Sequence, residues 1–446
     1  MNDLLRFTFP AALLLFVIPA HAQSLSADDF LPPVQAAAPE QQQALTQVKG
    51  TVEEIKDPAT GDTAVQATTA QDAINFIVNQ HSPGAEMMRV GSGIGWVATG
   101  MGSYEVMENP TATRIAKRNA YVRAFLEAKR HLAEALNGLS SEGKTQVLEQ
   151  METVSDAQSD LTNFAATQDE KLEQSVQMLL RGFVVYAVED NTAKKTVSVS
   201  IVTTPKTRGQ FNRPSPNGLE ADSIRDGLNQ VIVEIQKGLV PPVGGKIIQV
   251  PATGEIAFVG FGSDIVRTSD NATLQSKQQL NAAKIAQMRA SDALVGLLIG
   301  DDSRWKSKLD ESTQQTIAEF ENSDTGEDAS RQRFEQTRQS FQNTQRSSEE
   351  FQSLRKGVLP PGVTRKNFSS PDNAEMFSIA VYLPSLSRAA TQAAKEMSEA
   401  RLIDSPNGAA GGATTGTLAP PKDVIPRPSR EIAPGPTGQI SNDQDL

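Results

Sequence analysis

The sequence predicts an α+β fold made of two tandem units. Each is a small, mostly antiparallel sheet packed on a long alanine-rich helix, with a helical excursion inserted before the sheet closes. Three observations predict it. A strand pattern over 94–99 runs into Gly100-Met101-Gly102-Ser103, and a helix follows with alanine at every fourth position: Ala112, Ala116, Ala120, Ala124 and Ala128. The same order returns as a strand over 255–259, Gly260-Phe261-Gly262-Ser263 and a helix carrying Ala282, Ala286 and Ala290. Each copy then closes on strand segments that stop at a proline, Pro205 in the first and Pro384 in the second. Matching order and spacing is the mark of a duplicated unit.

The 446 residues leave room for two or three domains of ordinary size. With 38% hydrophobic and 5% aromatic residues, part of the chain is expected to pack no core of its own. A net charge of -11 repels phosphate backbones, so no nucleic-acid partner is expected. The chain has no cysteine, which excludes disulfides, thiolate metal sites, a cysteine nucleophile and lipid attachment at a lipobox.

Residues 1–22 read as a signal peptide. Arg6 supplies the basic start, 11–17 is apolar throughout, Pro19 breaks the helix, and Ala20-His21-Ala22 offers small residues before a cut ahead of Gln23. The apolar run falls short of the ~20 residues that a membrane span needs. After signal removal no transmembrane segment is expected. An exported chain without disulfides is compatible with a bacterial envelope or secreted protein, and the expected location is the periplasm or cell envelope of a Gram-negative bacterium, with secretion as a further fate.

Residues 23–68, rich in Gln, Ala, Pro and Thr, read as a disordered linker. The first unit covers 69–208. It opens with a short amphipathic helix over 71–78, ended by Ser82-Pro83-Gly84. The strand over 94–99 contains Trp96, and Gly100 and Gly102 demand either positive φ or close approach by another backbone. Asn109 caps the long helix, Pro110 suits its first turn and Asn137-Gly138 offers a left-handed stop. Small residues at spacing four form one stripe, which lets that helix lie close to a sheet. Helical periodicity continues over 140–180, and strands are expected over 182–188 and 196–203.

Residues 209–218 read as a linker and 219–403 as the second unit. Its first helix is expected over 219–239, stopped by Pro241-Pro242 and Gly244-Gly245. After the long helix, which Gly300 ends, 303–356 reads as a long polar helical hairpin. Closing strands are expected over 357–363 and 376–383, then a last helix over 386–402 and a disordered tail over 404–446.

The strand, the glycine pair and the alanine-spaced helix resemble the Lpp-twenty lipoprotein family and the N-terminal domain of flagellar assembly protein T, here in two copies. The residues carrying the resemblance are Trp96, Ala98, Gly100 and Gly102, then Ala116, Ala120, Ala124 and Leu132, then Gly182 with the hairpin over 184–202. It covers 94–204, and 256–383 more loosely. It implies a bacterial envelope protein used for assembly or surface interaction. Lipoprotein members carry an acylated cysteine, which this chain lacks.

Candidate chemistry is sparse. Gly100-x-Gly102 and Gly260-x-Gly262 stand between strand and helix as a dinucleotide fingerprint would, but Glu105 and Ile265 occupy the third glycine's place. They read instead as structural glycines where helix meets sheet, together with Ala286 and Ala290. His81 and His131 lack ligand spacing, and His131 reads as a solvated surface residue. Asp301-Asp302 could hold a hard cation or do acid–base work, but suits a helix cap better. In the polar hairpin, Phe334, Phe341 and Phe351 form a thin apolar stripe. Either they dock on a partner, or the hairpin is self-contained with Trp305 and Phe320 inside.

No catalytic, cofactor or metal residue is assigned. The expected function is that of a non-enzymatic envelope protein, an assembly or scaffold component that binds another envelope protein or itself. The alternative is a periplasmic ligand-binding or hydrolytic protein with its site between the two units.

Overall fold

The computed structural model describes residues 50–56, 63–90, 93–153, 167–323, 329–346, 354, 357–370 and 372–385. The stretches read from sequence as signal peptide, last helix and tail, together with most of 23–68 and Phe351, lie outside the described residues. In chain order the first unit comprises β1 (Val52–Lys56), β2 (Thr63–Ala67), α1 (Ala70–Asn79), β3 (Gly84–Val90), β4 (Gly93–Ser103), α2 (Pro110–Asn137), α3 (Ser141–Thr153), α4 (Gln168–Arg181), β5 (Phe183–Asn191) and β6 (Thr196–Thr203). The second comprises α5 (Pro205–Gln210), β7 (Phe211–Asn212), β8 (Gly218–Ala221), α6 (Ile224–Gln236), β9 (Val243–Val250), β10 (Glu255–Ile265), α7 (Ala272–Ile299), α8 (Ser303–Lys306), α9 (Glu311–Glu321), α10 (Ala329–Arg346), β11 (Thr364–Ser369) and β12 (Glu375–Tyr382).

The fold is α+β with two six-stranded mixed sheets. Their strand orders are β1-β2-β3-β4-β6-β5 and β7-β8-β9-β10-β12-β11, the same order twice. Pairing repeats as well. β2 with β3 and β8 with β9 are parallel, each bridged by a helix, and the other described pairs are antiparallel. In the first unit α1 packs on one sheet face with Val65, Met88, Val97 and Val202. α2 packs on the other with Trp96 and Ala98. In the second, α6 and α7 cover opposite faces in the same way.

The glycine pairs explain how a 28-residue helix, about 42 Å long, lies flat on each sheet. A Cβ on Gly100 would stand 2.1 Å from the Ala124 carbonyl oxygen and 2.2 Å from the Ala128 nitrogen. One on Gly102 would stand 2.2 Å from the Ala120 oxygen. In the second unit Gly260 meets Ala290 and Gly262 meets Ala286 in the same manner. Close approach, and not positive φ, is what these positions require. Trp96, Ala120, Ala124, Ala286 and Ala290 are all buried, while Ala116 is partly buried at the edge of the same core.

Several elements differ from the sequence-based expectation. The stretch read as a linker holds β1 and β2. β1 is an edge strand with its glutamates outward, while Ala64 and Val65 of β2 are buried. Sheet pairing supplies what their composition does not signal. Gly244-Gly245, read as a stop, lies inside β9, where each glycine leaves room for a neighbour, Phe261 and Leu297 respectively. The 209–218 linker contains β7, and 218–221 is a strand because Leu219 and Glu220 pair with Ile248 and Gln249 of β9. Ser223 then caps α6. The strand expected over 357–363 starts instead at Thr364, since Gly357 and Gly362 adopt φ of 84° and 87° and break extended backbone. Gly138 ends α2 with φ of -78°, so the left-handed stop expected there is absent, whereas Gly300 ends α7 with φ of 73°.

The units stack so that α2 lies between its own sheet and the second unit. Arg114 donates to the Val266 carbonyl at 2.9 Å, Arg118 pairs with Glu375 at 3.2 Å, and Lys129 donates to Ser323 at 3.0 Å. The Phe125 and Phe320 rings stack at 6.5 Å. One hydrophobic core runs through this seam from Trp96 to Ile379.

Candidate functional site

The glycine contacts align the two long helices residue by residue. The Ala120 oxygen faces Gly102 as the Ala286 oxygen faces Gly262, and Ala124 faces Gly100 as Ala290 faces Gly260. Arg114, Arg118, Val122 and Arg123 of α2 therefore correspond to Leu280, Lys284, Met288 and Arg289 of α7. On α2 the outward face is the seam, and Val122 is 2% exposed. On α7 the corresponding face is bare: Leu280 is 63% and Met288 58% exposed, with Leu274 exposed nearby. Lys277 and Lys284 on α7 are exposed and make no ion pair among the described residues.

The seam carries a buried charge cluster. Glu234 of α6, 2% exposed, accepts from Arg213 at 2.8 Å and lies 3.5 Å from Lys246. Arg213 also donates to the Phe183 carbonyl and stacks 4.1 Å over that ring, which ties the cluster to the first unit. Lys246 lies 5.1 Å over the Phe320 ring. Burial pushes the Glu234 carboxyl up, but the charges of Lys246 and Arg213, with hydrogen bonds from Arg213 and Gln230, outweigh it and hold the carboxyl below its ordinary value.

The paired arginines differ in their surroundings. Arg289 donates to the Ser263 carbonyl at 2.6 Å and to Asp264 at 2.9 Å. Burial raises the Asp264 carboxyl, against the pull of Arg289 and Arg118. In the first unit Tyr104 takes the place of Asp264 and turns its hydroxyl to Asp190 at 3.0 Å, with Lys117 over its ring. Arg123 is exposed and, like Asn119, makes no hydrogen bond or ion pair among the described residues. Both line a groove of ≈ 510 Å³ with Tyr104, Met107, Ile115 and Ala116.

The residues singled out as a partner-docking stripe lie elsewhere. Phe334 is 1% exposed, its ring packed against Gly218, and Phe341 rests 4.6 Å from Phe258. α10 thus lies on its own sheet, and Phe334 and Phe341 pack on the chain itself, while Phe351 lies outside the described residues. Trp305 packs with Val243, Ala293 and Ile317, and Phe320 joins the seam, so the two do not share one hairpin interior. His131 bonds the Thr99 carbonyl through Nδ1 at 2.9 Å and is mostly buried, because α2 lies so close to β4. His81 pairs with Glu189 at the surface at 3.1 Å. Asp301 accepts from the backbone and hydroxyl of Ser303, while Asp302 accepts from the Trp305 indole at 3.2 Å and its carboxyl is raised by burial.

Among the described residues no group of three or more His, Asp or Glu side chains is placed to hold a metal ion, and no helix is long and apolar enough to cross a membrane. No family model, curated protein or solved structure matches the chain.

Sequence reasoning singled out neither Arg123 nor the Leu280–Met288 face. The repeat of Ala120-Tyr121-Val122-Arg123-Ala124 as Ala286-Gln287-Met288-Arg289-Ala290 carried the signal for both, but exposure is invisible in it.

Proposed function

We propose that this chain is a non-enzymatic, exported component of a bacterial cell envelope that acts by binding, as an assembly or scaffold element. The bare face of α7 supports this reading most. A duplicated helix has its outward side covered in one copy and left apolar and solvent-facing in the other, and exposed apolar surface rimmed by charge is characteristic of interaction sites. Its partner is a different envelope protein with an apolar face bearing carboxylates, which complement the unpaired Lys277 and Lys284.

Head-to-tail stacking of copies is less well supported. Towards α2 the second sheet presents Phe261, Phe377 and Ile379; the first sheet has Met101, Thr196 and Ser198 at the corresponding positions. A ligand site between the units is also the weaker reading, because among the described residues the seam cavity lined by Arg118, Phe261 and Glu375 measures ≈ 10 Å³, room for about one water.

A photo-reactive residue at position 280 or 288 tests the proposal in intact cells. We expect an adduct heavier than the monomer at both positions, none at exposed position 142, and loss of the adduct on Lys284→Glu. Free monomer at all three positions would contradict it. Export is tested separately: the mature chain should begin at Gln23, and an uncleaved chain in the cytosolic fraction would refute that part.

A further inference from the structure

We infer that the groove beside the first turns of α2 binds a carboxylate carried on a small apolar group. The duplication makes the case. Two equivalent arginines sit at the same place on equivalent helices, and in the second unit the guanidinium is satisfied from within, by the Ser263 carbonyl and the Asp264 carboxylate. In the first unit the position that would supply that carboxylate is Tyr104, which turns away to Asp190. Arg123 keeps the placement without the anion.

The space beside it suits a ligand. Its ≈ 510 Å³ falls within the roughly 300–1,000 Å³ typical of small-molecule sites. Arg123 and Asn119 offer donors that no described residue takes up, and a guanidinium fork matches a carboxylate bidentately. Met107 and Ile115, both exposed, and Ala112 and Ala116 provide apolar contact for the attached group. Glu105 lines the same groove and makes no ion pair with Arg123. Its charge opposes an incoming anion, so its removal should tighten binding.

This site is independent of the α7 face, and either can fail alone. The test is calorimetric titration of the purified full chain with N-acetyl-leucine, N-acetyl-leucinamide and a short peptide ending in a free leucine carboxylate. We expect saturable binding of the free acid and none of the amide. Arg123→Met should weaken the acid by about tenfold or more, the usual worth of a charged hydrogen bond, with an unchanged melting temperature, and Glu105→Gln should strengthen it. Peptide binding tighter than that of the acid assigns the site to chain termini, whereas binding of the acid alone assigns it to free small acids. Absence of saturable binding, equal binding of the amide, or acid binding unaffected by Arg123→Met would overturn the inference.

Discussion

Gly100→Ala is expected to destabilise the first unit by about 3 kcal/mol or more, the upper range for overpacking a tight core. The added Cβ would meet the backbone of Ala124 and Ala128, not a side chain that can swing aside. Relief requires lifting α2 from its sheet, and α2 also forms the seam, so the damage should spread to the second unit. In thermal melts the loss should lower Tm by on the order of 10 °C. Gly260→Ala should behave alike, because its Cβ would stand 2.3 Å from the Ala290 oxygen. Gly254 has open space around it and φ of 69°, so Gly254→Ala should cost only the roughly 1 kcal/mol of a strained φ. Equal effects at Gly100 and Gly254 would mean that helix and sheet are not in backbone contact.

The second large effect is expected at Glu234. Glu234→Ala leaves Arg213 and Lys246 buried without their anion, a change that typically costs about 3–5 kcal/mol. Replacing Arg213, Glu234 and Lys246 together by apolar residues of similar size should recover most of that loss, because no buried charge is then left unpaired. The pH dependence follows from the sign of the shift. Glu234 is held below its ordinary value of 4.5 in the folded chain, so its stabilising contribution is complete above that value and drains away as pH falls through the lower folded value. Urea melts from pH 7 to pH 3 should show this loss in the wild type and lack it in the triple replacement. An identical acid profile in both would remove Glu234 from the account.

What the sequence made legible follows from periodicity. The alanine rows, the glycine pairs and the hairpin closing the first unit are local patterns with one structural solution, and they declared the duplication. The strands that escaped notice lack such a pattern. β1 is an edge strand with glutamates at its centre, β3 is interrupted by Glu86 and Arg89, and β9 begins with a glycine pair that resembles a break. Their extended form comes from pairing with neighbours and from helices laid over them, which are tertiary facts. The candidate surfaces were still less visible. Val122 and Met288 are both apolar residues in matching motifs; only the stacking of the two units decides that one is buried and the other bare. The burial of Phe334 was hidden for the same reason, since it reads as a spare apolar mark until Gly218 is seen to make room for its ring.

The bare face of α7 can be tested directly because the chain has no cysteine of its own. Thiol-labelling rates of the Val122→Cys and Met288→Cys variants should be compared in the purified protein and then in intact cells. In the purified protein the thiol at 288 should react fast and that at 122 should be protected; in cells, the partner should protect 288 as well. Equal rates at the two positions in the purified protein, or an unprotected 288 in cells, would contradict the account.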